Sequence, residues 1–141
     1  MLRDHATFQA NYPSDGESRR AAAEPLATAV LDGLAAAGYA IDRFDSLDYA
    51  YDFRIHAKGH RFYGMVGPSN DGVRQWLFVL ESELPAWRRW FGATDAGTHE
   101  AVLHTAHQVI AALPGVQGIR WYTLTELNEA PDDQWSPSPV A

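Results

Sequence analysis

The chain contains no cysteine, which excludes disulfides, thiolate metal sites and thiol nucleophiles, and with them the usual framework of a small secreted domain. Cations are scarce: eleven Lys and Arg stand against eighteen Asp and Glu, a formal net charge of −7. That balance repels phosphate backbones at long range and argues against nucleic acid as a direct partner. Long apolar runs are also missing. The longest nearly apolar stretch, residues 25–39, contains Thr28, Asp32 and Gly33 and is too short to span a bilayer. The opening Met1-Leu2-Arg3-Asp4-His5 has neither the apolar core nor the cleavage site of a signal peptide. These absences together predict a cytoplasmic protein without a membrane segment.

Recognisable catalytic motifs are lacking as well. There is no phosphate-cradling glycine loop ending in Lys-Ser/Thr, no Gly-x-Ser-x-Gly elbow, no His-Glu-x-x-His and no dinucleotide fingerprint.

What is present suits one core. The 141 residues are 46% hydrophobic and 12% aromatic, enough apolar material to offset the entropy of ordering a domain of this size. The spacing predicts an α+β two-layer sandwich: an antiparallel meander over about 47–82, a fourth strand over about 118–125, and helices over about 25–37 and 98–113 on one sheet face. Residues 1–20, with Asn11, Pro13, Ser14, Asp15 and Gly16, read as a loosely attached arm. Residues 127–141 read as an irregular, acidic, proline-containing tail that Trp135 pins to the body.

The strongest signal is a two-residue rhythm. Leu47, Tyr49, Tyr51, Phe53 and Ile55 alternate with Asp48, Ala50, Asp52, Arg54 and His56, which predicts a strand with one buried and one wet face. Lys58-Gly59 as a two-residue turn sets Ile55 opposite Phe62, Phe53 opposite Gly64, Tyr51 opposite Val66 and Arg54 opposite Tyr63. The next strand, Gln75 to Glu81, is apolar on both faces, so something must cover the second one. The candidates are the aromatic segment Pro85 to Phe91 or another copy of the chain. In the first helix Pro25 suits an initial turn, with the stripe Leu26, Ala29, Val30, Leu34 and Ala37 behind it. Helix before Pro25, through Arg19 to Ala23, requires the proline to sit inside it.

Two clusters are candidate binding surfaces. The polar face of the first meander strand carries Asp48, Asp52, Arg54 and His56, with Tyr63 arriving from the next strand. Solvated sheet faces have this composition by default, and exposed ion pairs across strands contribute little. The second cluster is Trp87-Arg88-Arg89-Trp90-Phe91, whose aromatics are expected to plug the core with the arginines laid over them. If exposed, Trp87, Arg88 and Trp90 form a protein-binding hot spot. Glu100, His104 and His107 have helical spacing that invites a metal. Turning each residue by 100° separates the two imidazoles and argues against a metal or any other cofactor.

These features point to a non-enzymatic domain that engages a specific, basic protein partner, or associates with itself through the third meander strand. Small acidic α+β domains of this general kind occur among secretion chaperones and among immunity proteins and antitoxins, an analogy of form that no motif here carries. The alternative is a small-molecule- or metal-dependent enzyme using Asp52, Arg54 and His56, or His104 and His107.

Overall fold

The computed structural model describes residues 1–13, 17–69 and 74–140. Among them, six strands form one antiparallel sheet: β1 (His5–Gln9), β2 (Ala40–Arg43), β3 (Tyr51–Ala57), β4 (His60–Pro68), β5 (Trp76–Ser82) and β6 (Gln117–Tyr122). Their order across the sheet is β2-β3-β4-β5-β1-β6. Four helices accompany them: α1 (Arg19–Ala36), α2 (Ala86–Trp90), α3 (Ala96–Ala111) and α4 (Leu124–Glu129). The fold is thus mixed α+β, with α1 and α3 on one face.

The chain starts in the interior of the sheet, crosses by α1 to the far edge, and meanders back through β2, β3, β4 and β5. It then passes through α3 to β6 on the other side of β1. The β3–β4 register matches the pairs expected from the Lys58-Gly59 turn. Both turn residues have positive φ, 50° and 78°, as the tight hairpin geometry demands.

Alternation places Ala6, Phe8, Phe53, Ile55, Phe62, Val66, Trp76, Phe78, Leu80 and Trp121 on the helix-covered face. They merge there with Leu26, Val30, Leu31 and Leu34 of α1 and Val102, Leu103, Ala106 and Ile110 of α3 in one apolar cluster. The two helices meet where Gly33 lies against Val109.

Four sequence expectations change. The supposed loose arm contains β1, whose Ala6 and Phe8 are 0% and 1% exposed and whose backbone pairs with both β5 and β6. The strip is short and abuts turn formers, so its rhythm is weak, but it closes an otherwise open edge of β5. Residues 14–16 of that arm lie outside the described residues. Helix α1 begins at Arg19, because the Ser18 hydroxyl accepts from the Ala21 N–H at 3.0 Å and caps it. Pro25 then sits inside the helix.

The first meander strand begins at Tyr51, not Leu47. Residues 44–50 instead fold over the helix-free face, and the Asp48 carbonyl accepts from the Arg20 N–H, so Tyr49 is half exposed. Finally, Thr123 and Glu126 form a capping box that starts α4 inside the stretch expected to be the end of a strand. The tail beyond is irregular, yet Ser136 exchanges two backbone hydrogen bonds with Trp121. None of the described helices is long and apolar enough to cross a membrane.

Candidate binding surfaces

The helix-free face divides into a closed polar corner and an open trough, and a separate aromatic helix projects at the end of the sheet.

The closed corner holds most of the residues nominated from the strand rhythm. Asp52 is 1% exposed, contrary to the wet position expected, because Phe44 and Ser46 cover it. Its Oδ2 accepts from the Ser46 hydroxyl at 2.5 Å and the Tyr63 hydroxyl at 2.7 Å. Burial, and then this hydrogen bond to an anion, hold the Tyr63 phenol well above its usual range. Arg54 forms a fork on Glu83, with bonds of 2.6 and 2.9 Å, and its guanidinium lies over the Phe44 ring at 5.3 Å. The fork depresses the Glu83 carboxyl below its ordinary value. His56 pairs with Asp42 at 2.7 Å. Asp48 is exposed, away from the Asp52–Tyr63 pair. The structure therefore joins Asp52 to Tyr63 and Arg54 to Glu83 as internally paired groups that hold the 44–50 loop down.

The two helical histidines separate as well. His107 Nδ1 accepts from the Trp121 indole at 2.9 Å, and burial lowers its pKa. His104 is half exposed beside Glu100. Among the described residues no three histidine or carboxylate groups converge as metal ligands.

Helix α2 overturns the expected plug. No residue of it is buried, and Trp87, Trp90 and Phe91 are 66%, 87% and 83% exposed. The second face of β5 is not covered by residues 85–91: its Leu77 and Val79 line depressions bordered by Leu124 and Leu127 of α4 and by Tyr49 and Ala50. Around α2 the local charge is positive. Arg88 shares a shallow depression with His60 and Arg61, Lys58 occupies the adjoining hairpin turn, and Arg89 follows on the helix. Glu83 and Asp95, the acids there, are engaged by Arg54 and Ser82.

The trough runs across β4, β5 and β1. Two depressions of about 400 Å³ each share Met65, Leu77 and Val79 as their floor. Leu124 and Leu127 of α4 wall one of them, and Tyr49 and Ala50 the other. The α4 wall is held by a two-bond Arg3–Glu126 pair, by the capping box, and by the Tyr122 hydroxyl donating to the Pro131 carbonyl at 2.9 Å. Sequence reasoning missed this wall, although Thr123-Leu124-Thr125-Glu126 carries the capping-box spacing. The second apolar face expected on the third meander strand is the trough floor, with Leu77 and Val79 on it, and both edges of β5 are paired, with β4 and β1.

No protein-family model, curated protein or solved structure matches the chain.

Proposed function

We propose that this is a protein-binding domain, and that α2 carries the contact. The observation behind this is the exposure of Trp87 and Trp90 beside Arg88 and Arg89 on one five-residue helix, with exposed Phe91 at its C-terminal cap. Trp and Arg are enriched in binding hot spots, where they fill well-packed, desolvated contacts. Three exposed large aromatics in five residues have no covering partner among the described residues.

The overall charge of −7 favours encounter with a basic protein. The contact itself is positive, so its immediate complement is an apolar surface edged with carboxylates. A partner with a basic body and such a recess satisfies both. An immunity or antitoxin role, in which the domain covers one functional surface, and a chaperone role, in which it shields an apolar segment, are two forms of the same contact.

A photo-reactive phenylalanine analogue at position 91 tests this in cells of the natural host. Expected is one stoichiometric crosslinked protein, lost when Trp87→Ala and Trp90→Ala are combined. Equal capture by that double variant, or none by the parent, overturns the reading.

A further inference from the structure

The trough on the sheet face opposite α1 and α3 is lined by no residue of α2, although Arg89 lines a neighbouring depression with His5 and Glu81. The trough's polar corner is built by β1 and β5. His5 and Thr7 alternate with the core residues Ala6 and Phe8, so their side chains stand on the trough side of the sheet. Both line the depression together with Glu81. Thr7 is 1% exposed, and its hydroxyl has no hydrogen-bond partner among the described residues. A buried hydroxyl left in that state is unfavourable, and a ligand atom bonded to it recovers the missing hydrogen bond. His5 is also buried, at 5% exposure. Its Nδ1 lies 2.8 Å from Asp4 Oδ1, a contact in which the ring nitrogen donates. In the neutral imidazole this leaves Nε2 as an acceptor, 3.5 Å from the carboxylate of Glu81. A carboxylate, a hydroxyl and the edge of an imidazole thus gather at one end of an apolar floor.

An alkylammonium group matches that set. It carries three N–H donors and no acceptor, and its charge complements Glu81 and, behind His5, Asp4. Arg74, which lines this depression, is itself paired with Asp132. We propose that the trough binds a small amphipathic amine, with its head among His5, Thr7 and Glu81 and its apolar body on Met65, Leu77 and Val79. The volume lies within the range of small-molecule sites, and an apolar lining with a few convergent polar groups is their common form.

The chain has two methionines, Met1 and Met65, so methyl-labelled methionine reports the floor and, through the exposed Met1, a control. Octylamine is expected to shift the Met65 methyl saturably and leave Met1 in place, with octanoate binding at least about tenfold more weakly. Glu81→Gln weakens octylamine by about tenfold, Thr7→Val weakens it, and Leu77→Trp fills the floor and abolishes it. Trp87→Ala and Trp90→Ala leave it unchanged, which separates this site from the protein contact. Octanoate binding as tightly as octylamine overturns the choice of ligand. A shift of Met1 together with Met65, no saturation, or indifference to Glu81→Gln overturns the site. Should Leu77→Trp not fold, the half-exposed Glu81→Gln carries the test.

Discussion

The Trp121 indole, buried in the sheet, donates its N–H to Nδ1 of His107 on α3 at 2.9 Å. That bond needs an unprotonated Nδ1, and burial, followed by the nearby His104, lowers the His107 pKa from 6.5. Protons therefore bind more readily to the unfolded chain. The contribution to stability is complete above about pH 6.5, falls as pH drops from there to the folded pKa, and levels off below it. Urea titrations across pH 5–8 are expected to show this slope in the parent and not in His107→Asn. His107→Ala orphans the indole N–H and costs about 1–3 kcal/mol.

Tyr63→Phe removes a donor from the buried Asp52 carboxylate, leaving Ser46 on the same oxygen. Loss of a bond to a charged group is expected to cost about 1.5–3 kcal/mol. In a double-mutant cycle with Asp52→Asn, the coupling is expected to exceed about 0.5 kcal/mol. Coupling near zero removes this pair from the forces that seat the 44–50 loop.

Glu83 and Glu126 are both held below the ordinary carboxyl value, first by Arg54 and Arg3 respectively. A depressed folded-state pKa stabilises above the unfolded value and is lost as pH falls through the folded one. Acid unfolding monitored by tryptophan fluorescence should therefore begin at higher pH in Arg3→Ala and Arg54→Ala, and the loss of stability below about pH 4.5 should be shallower in Glu83→Gln and Glu126→Gln.

Gly33 and Gly64 are close-packing glycines. A Cβ at Gly33 would meet Val109 Cγ1 at 2.6 Å, and one at Gly64 would enter the Phe53 ring. Gly33→Ala and Gly64→Ala are each expected to cost about 1–3 kcal/mol by overpacking. Combining Gly33→Ala with Val109→Ala recovers most of the first loss.

Substitutions on α2 should behave in the opposite way. Trp90→Ala and Arg88→Ala at exposed positions are expected to change stability by no more than about 0.5 kcal/mol. Loss of partner capture at unchanged denaturation midpoint is the signature of a contact surface. A large loss of stability would return these residues to the core role that their composition first suggests.

The readable parts of the chain were those whose signal is local. Tyr51, Phe53 and Ile55 announce their strand by alternation, Lys58-Gly59 sets the hairpin register because its residues accept positive φ, and the apolar stripes of α1 and α3 name the helix-covered face. The alternation and the stripes are decided by the period of the backbone and the turn by its own two residues, all properties of neighbouring positions.

The fates of Asp52, His5, Thr7 and Trp90 depended on distant segments. Asp52 is dry because Phe44 and Ser46 fold across it. His5 and Thr7 reach a trough because five residues near the chain start insert between β5 and β6. Trp90 faces outward because the second face of β5 is left as a trough bordered by α4 and by Tyr49 and Ala50, not closed by residues 85–91. Composition and period established a mixed α+β fold with an apolar meander. Which polar groups are sealed, and which aromatics face outward, was decided by strand order, since burial depends on what comes to lie opposite a side chain.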